Sequence, residues 1–341
     1  MTSLATRVAA RARRYRRRLG LAARYITYSL KQTRPWTYPD RMYLESTNTC
    51  NLRCIMCPTG RGEMTRRRGF IAWELFTQIV DEMAPHVHTT TLHIWGEPLL
   101  HPRLPEMIAY CRQRGLRAEI STNGVLLDAE MSKALLQAGP SAIYIGMDGF
   151  TKETYEQVRR QADFESTVAN IRRFLEMKAA GGYKEPFVNL QIIEMSPTAG
   201  EIEAFRRQWQ VPGVDRVHIK AFDSWGGQIG EISDLAAGRP ALPEPRYPCP
   251  NLWYHVHIYW DGTLVSCDRD FDGLNQLGNV SDGVMKAWNG PLMAELRRKH
   301  VEQKLDDVPA CRNCVEWAWW KPAWFRSQGN APMPQGQKDR R

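Results

Sequence analysis

Seven of the chain's eight cysteines fall into tight groups: Cys50, Cys54 and Cys57; Cys249 and Cys267; Cys311 and Cys314. Cys111 stands apart. Eight cysteines in 341 residues are too few for a disulfide scaffold, and the chain shows no continuous apolar secretory h-region. Grouped thiols then read as metal or iron–sulfur ligands in a reducing compartment. The spacing Cys-x3-Cys-x2-Cys over 50–57 puts three thiolates on one short loop. Three thiolates can hold three irons of a cubane and leave the fourth iron open. Zinc needs a fourth nearby ligand, and that loop offers neither a His nor another Cys.

From Met42 onward, strand patterns alternate with helical ones. Strands are expected at 42–46, 90–95, 117–121, 142–147, 187–194 and 215–222. The intervening segments carry helical periodicity at 73–83, 103–114, 128–137, 151–160, 164–179 and 199–208. Six βα units predict an α/β fold, a partial (β/α)6 TIM-like barrel two units short of closure. Regularity stops after Phe222. Residues 224–248 are rich in Gly and Pro and read as a linker, followed by a hairpin over 255–267 that turns at Asp261-Gly262. Helices near 284–287 and 291–299 precede Cys311 and a Trp-rich segment. The expected plan is an arm over 1–41, a barrel over 42–223, a linker, a cysteine-bearing domain over 249–326 and a polar tail over 327–341.

Charge is concentrated at one end. Residues 1–41 hold eleven Lys/Arg and one acid, 11 − 1 = +10, so the other 300 sum to 9 − 10 = −1. The basic balance therefore describes an arm and argues against a nucleic-acid partner for the body. Within the arm, Val8, Ala12, Tyr15, Leu19, Ala22 and Ile26 recur at steps of four and three, an amphipathic helix flanked by arginines. Such a helix either lies on an anionic membrane surface or packs on the barrel with a solvated basic face; an Arg-rich transit peptide is a third reading. No apolar run reaches the roughly 18–20 residues that span a bilayer. The expected location is cytoplasmic, with peripheral contact at the inner membrane face.

The run Cys50-Asn51-Leu52-Arg53-Cys54-Ile55-Met56-Cys57 resembles the signature of the radical S-adenosylmethionine (SAM) superfamily, and the likeness extends over residues 42–222. Trp95-Gly96-Glu97-Pro98 ends the second strand, where that family carries Gly-Gly-Glu; Trp95 replaces the first glycine. Ser121-Thr122-Asn123-Gly124 is similar to the family's Thr-Asn-Gly turn, and Met147-Asp148-Gly149 ends the fourth strand, where a polar side chain often meets the ribose. All sit at strand C-termini, the face that carries barrel sites. The resemblance implies a [4Fe–4S] cluster on Cys50, Cys54 and Cys57, with SAM on the open iron. It also implies SAM contacts from Met56, Gly96, Glu97, Pro98, Ser121, Asn123 and Asp148, although Met56 reads equally well as core packing. Reductive cleavage of SAM and hydrogen-atom abstraction is the implied chemistry, fed by a low-potential donor such as flavodoxin or ferredoxin.

Cys249, Cys267, Cys311 and Cys314 on their own suit structural zinc. Beside the first set, their layout resembles the SPASM/twitch extension of radical SAM enzymes in its four-cysteine form. This implies one auxiliary [4Fe–4S] cluster with full cysteine ligation and an electron-transfer role. The layout is also similar to sugar-modifying members of the 2-deoxy-scyllo-inosamine dehydrogenase type. It implies oxidation or epimerisation of a hydroxylated small molecule: a sugar, cyclitol or lipid-linked glycan. Two alternatives stand, a peptide-modifying enzyme and a non-catalytic iron–sulfur or zinc protein. Only 49 residues precede Cys50, and they do not read as a peptide-recognition domain. Lys220 and Asp223, at the end of the sixth strand, are the candidate catalytic groups; surface salt bridges are the competing reading, as for Asp268 and Arg269. Cys111 reads as a buried structural thiol rather than a hydrogen donor. Trp317, Trp320 and Trp324 step along a helix as a lid over the second cysteine set or as a membrane-interface face.

Overall fold

The structure, a computed structural model, describes residues 18–238 and 242–319. Most of the basic arm, the polar tail, Trp320 and Trp324 lie outside the described residues. Among the described residues, eleven strands run in chain order: β1 (Arg41–Leu44), β2 (Arg53–Cys54), β3 (Thr89–Thr91), β4 (Arg117–Thr122), β5 (Ala142–Gly146), β6 (Arg159–Arg160), β7 (Phe187–Glu194), β8 (Arg216–Ala221), β9 (His255–Ile258), β10 (Thr263–Val265) and β11 (Gln276–Asn279). Nine form one sheet in the order β11-β10-β9-β1-β3-β4-β5-β7-β8. From β9 through β1 to β8 every pairing is parallel. The six expected barrel strands are β1, β3, β4, β5, β7 and β8, so the mixed α/β architecture with a mostly parallel sheet is as expected.

Side chains along these strands sort by period two. Met42, Leu44, Ala118, Ile120, Ile143, Ile145, Val188, Leu190 and Ile192 belong to the main apolar core that the helices cover. Full burial of each large aliphatic side chain contributes about 1.5–3 kcal/mol. Several of the alternate residues are polar and buried or half-buried. Arg41 donates to Thr91 Oγ1 at 2.9 Å and to Glu119 at 2.6 Å, and the Tyr144 hydroxyl donates to the same carboxylate at 3.4 Å. Tyr43 stacks on His257 at 4.6 Å. Helices begin where an oxygen can take an orphan amide: Asp128, Thr151 and Asp163 each accept from the backbone N–H three residues on.

Three features differ from the sequence expectations. The expected hairpin, β9–β10, extends the barrel sheet: β9 runs parallel to β1, Arg41 opposite His255, and Val256, Ile258 and Leu264 join the barrel's core. Parallel pairing needs no short turn between partners, so local signals give no hint of it. The second barrel strand ends at Thr91 instead of 95: Leu92 N makes the last bond to β4, and Glu97 N donates to Thr49 O at the stem of the first cysteine loop. Part of the span read as a linker is packed, with short 3₁₀ turns at Trp225–Gly227 and Gly230–Leu235 and Ile229 and Ile232 buried. Its glycines permit close approach rather than flexibility: Cβ atoms on Gly226 and Gly227 would lie 2.9 Å from the carbonyl oxygens of Ala310 and Asn313.

Candidate functional site

The first cysteine loop leaves the C-terminal end of β1. The Asn48 side chain fixes its stem, donating to Arg67 O at 2.9 Å and accepting from Gly69 N at 3.0 Å. Cys54 lies in the short pair β2–β6, opposite Arg159. Gly60 permits that turn, because a Cβ there would lie 2.5 Å from Cys54 N and 2.6 Å from Cys54 O. Sequence inspection gave no reason to single it out. Burial pushes the Cys50 thiol up to about 11 and the Cys54 thiol up to about 12. Without a cation these groups stay protonated at neutral pH, so they are poor free nucleophiles; a bound metal ionises them.

Beside this loop, residues 95–97 and 121–123 converge. Gly96 has φ +78°, and a Cβ on it would lie 2.6 Å from both Thr47 O and Thr49 O. Glu97 N donates to Thr49 O at 2.8 Å. The buried Glu97 carboxylate accepts from Asn123 N at 2.7 Å, Thr122 Oγ1 at 2.8 Å and Leu99 N at 3.1 Å. Burial pushes its pKa up, and the three donors oppose that shift. Asn123 Nδ2 donates to Asn51 Oδ1 at 2.8 Å, which ties the end of β4 to the cysteine loop. Pro98 is buried in the turn after Glu97, and Ser121 N donates to His93 Nδ1 at 2.9 Å.

The structure thus brings Gly96, Glu97, Pro98, Asn123 and Ser121 to the strand ends around the loop. Met56 and Asp148 are engaged differently. Met56 packs with Leu52, Val158 and Met195. Asp148 accepts from Arg159 at 2.8 Å and from Ile193 N at 2.8 Å, so its carboxylate ties β7 to β6, the strand that pairs with Cys54.

Charges crowd the mouth of the barrel near β8. Arg269 is buried between Asp223 and Asp268, 2.9 Å from each. Burial pushes Asp223 up to about 7, with Arg269 opposing that shift. Lys220 is half-buried and makes no hydrogen bond or ion pair among the described residues. Burial lowers its pKa, and Asp223 counteracts part of that. Burial also drives His93 down to about 3, so the imidazole is neutral. Cys111 is fully buried in the main core on the helix Leu104–Gln113.

Cys249, Cys267, Cys311 and Cys314 line a single cavity, together with Arg246, Ser266, His300 and Trp317. Burial pushes all four thiols up. A buried cavity lined by four thiols can hold an iron–sulfur cluster or a tetrahedral zinc.

A bridge between the two cysteine sites was not visible in the sequence. Trp225 Nε1 donates to Met56 O at 2.6 Å, while Ser224 N and Oγ donate to Glu316 Oε1 at 2.8 and 2.6 Å. The other Glu316 oxygen accepts from Cys314 Sγ at 3.3 Å. Trp95 packs edge-on against Trp225 at 5.0 Å and against Phe271 at 6.0 Å. The Trp that replaces the family glycine therefore forms part of the wall joining the first loop to the second site.

Comparison with known proteins agrees with this division. Residues 44–180 match the radical SAM superfamily, and residues 249–315 match SPASM, an iron–sulfur cluster-binding domain. Both domains are present in this chain. A radical SAM domain implies a [4Fe–4S] cluster and SAM, and a SPASM domain implies auxiliary iron–sulfur ligation; the residues described above fit these groups. One relative is the tungsten-containing aldehyde ferredoxin oxidoreductase cofactor-modifying protein of Pyrococcus furiosus, 29% identical over 52% of this chain and 50% of that protein. Another is the Fe-coproporphyrin III synthase of Methanosarcina barkeri, 35% identical over 33% of this chain and 28% of that protein. The chain thus spans half or less of these two curated relatives. Among solved structures, BtrN in complex with AdoMet and 2-DOIA aligns at TM-score 0.55 and 15% identity, over 81% of this chain and 92% of BtrN. Streptococcus suis SuiB bound to precursor peptide SuiA aligns at TM-score 0.62 and 12% identity, over 84% of this chain and 73% of SuiB. These likenesses show a shared fold.

Proposed function

We propose that the chain is a radical SAM enzyme with one auxiliary cluster. The observation that carries this is the division of seven cysteines into an open set of three at the end of β1 and a closed set of four around one cavity. When bound, SAM and the clusters supply one-electron cleavage of SAM, hydrogen-atom abstraction from a substrate carbon and a sink for one electron. The chain's own residues do the rest. Glu97 and Asn123 hold the strand ends that border SAM, and the aromatic wall of Trp95, Trp225 and Phe271 keeps water from the first loop. Lys220 is the proton acceptor. Its amino group takes the hydroxyl proton at the carbon that has lost hydrogen, so loss of one further electron leaves a carbonyl.

One substrate class is a hydroxylated small molecule such as a sugar or cyclitol, with oxidation or epimerisation as the outcome; peptide modification has at least equal support. The charged mouth formed by Lys220, Asp223, Asp268 and Arg269 supports the hydroxylated class, as does the fold shared with BtrN, whose complex holds 2-DOIA. Peptide modification is the other reading. It is supported by the likeness to the mycofactocin maturase of Mycobacterium ulcerans, 27% identical over 47% of this chain and 42% of that protein, and by SuiB with its precursor peptide. A flavodoxin or ferredoxin is the proposed donor.

The test is anaerobic incubation of reconstituted protein with dithionite and SAM, followed by chromatography for 5′-deoxyadenosine. The expected result is formation by wild type and none by Cys54→Ala; no formation by wild type refutes the proposal. Carbon-deuterated cyclitols and amino sugars against deuterated peptides separate the two readings, because the label moves into 5′-deoxyadenosine only from a true substrate. Once a hydroxylated substrate is found, Lys220→Met is expected to keep this label transfer and lose carbonyl product.

A further inference from the structure

The helix over 18–29 keeps an apolar stripe on its outer side. Its protein-facing side is anchored by Tyr28, which joins the main core and meets Trp253 edge-on at 5.4 Å, and by polar bonds. Arg24 pairs with Asp40 at 2.6 Å, Thr27 Oγ1 lies 3.3 Å from Thr37 Oγ1, and the Tyr28 hydroxyl donates to Pro248 O at 2.7 Å. Its outer side is apolar: Leu19 is 53% exposed, Ile26 42% and Leu30 64%. Positions 19, 26 and 30 are separated by seven and four residues, so they share one face, with Ala22 and Ala23 between them. Farther along the same segment Trp36 is 64% exposed. A helix that only covered the barrel would turn this stripe inward.

The segment's own exposed charges are positive. Arg18, Lys31 and Arg34 are exposed, and Asp40, the one acid in residues 1–41, is held by Arg24. In sequence, residues 7–17 add six arginines and no acid. Apolar side chains with an exposed Trp and a cationic flank match a bilayer's acyl boundary and anionic headgroups. A protein partner with an acidic rim is less suited, because the stripe is narrow and the cations are spread along the chain on both sides of it.

We propose that this segment is a peripheral docking surface for anionic phospholipid. The helix is tied to Asp40 at the entry of β1, and Asp40 N donates to Tyr254 O at the entry of β9. The Cys50 loop leaves the opposite, C-terminal end of β1. A membrane on this face therefore anchors the chain while the cysteine loop faces away from it, so docking localises the protein and does not itself deliver a lipid-linked substrate. This proposal is independent of the radical reading.

The experiment is co-sedimentation of the full chain with vesicles of phosphatidylcholine alone or with phosphatidylglycerol added. Wild type is expected to partition at least about tenfold more strongly onto the anionic vesicles and to lose that excess in high salt. Leu19→Glu/Ile26→Glu and Arg18→Glu/Arg34→Glu should each lower partition by about tenfold or more. All four positions are exposed, so unchanged circular dichroism and melting are expected; Leu30→Ala/Trp36→Ala is a milder variant with the same expected direction. Equal partition onto both vesicle types, no partition, or undiminished partition of Leu19→Glu/Ile26→Glu would overturn the proposal. So would concentration-dependent self-association that this variant abolishes while vesicles recruit nothing.

Discussion

Gly96 gives the sharpest quantitative test of how the first loop is held. Two terms oppose Gly96→Ala. The backbone sits at φ +78°, where an L side chain costs about 1–2 kcal/mol. The new Cβ also meets Thr47 O and Thr49 O at 2.6 Å, and both are backbone atoms that cannot rotate away. Forced overpacking of this kind costs about 1–3 kcal/mol. The expected total is about 2–5 kcal/mol. Gly62 isolates the first term, because its φ is +80° and nothing lies within 4 Å of its Cβ position. Urea unfolding of the unreconstituted proteins should place Gly62→Ala about 1–2 kcal/mol below wild type and Gly96→Ala clearly lower, with equal slopes. Gly96→Ala should also bind less iron, because relieving the clash moves the segment that leads into Cys50. Equal losses in the two variants would refute the close-approach argument.

Trp225→Phe keeps the ring packing against Trp95 and removes the donor to Met56 O; urea unfolding should show a loss of about 1–2 kcal/mol, and an unchanged midpoint contradicts the tether. Asp148→Asn leaves the buried Arg159 cation beside Cys54 without its carboxylate, so thermal unfolding should report about 3–5 kcal/mol of destabilisation. Asp223 titrates near 7 in the fold against about 4 when unfolded, so the native state binds the extra proton between those values. Its contribution to stability is therefore lost as pH rises from about 4 through 7. Asp223→Asn should flatten that fall, and identical pH profiles of melting temperature for variant and wild type would show that the group does not titrate there.

Local patterns were legible where the chemistry itself is local. The Cys-x3-Cys-x2-Cys loop, the Gly96-Glu97-Pro98 turn and the Thr122-Asn123-Gly124 turn each sit within a few residues of a strand end, and periodicity locates the strands. What escaped is tertiary. Gly60 matters because the chain folds back on Cys54, and Trp225 because a loop after β8 reaches Met56, 169 residues away. A Gly-rich run has the same composition whether it is mobile or must approach another backbone closely, so residues 225–227 read as linker. Asp148 was placed at the right strand end, yet its environment depends on Arg159, whose position follows from the β2–β6 pairing that no short-range pattern marks. The parallel docking of β9 on β1 is likewise set by burial of Val256 and Ile258 in the barrel core.

Iron, acid-labile sulfide and zinc per chain, after anaerobic purification and reconstitution, test the central claim directly. Two [4Fe–4S] clusters predict about eight irons and no zinc in wild type, and about four irons when Cys50, Cys54 and Cys57 are all replaced by Ala. About four irons with one zinc would make the second cysteine set structural, and failure to hold iron at all would contradict the account.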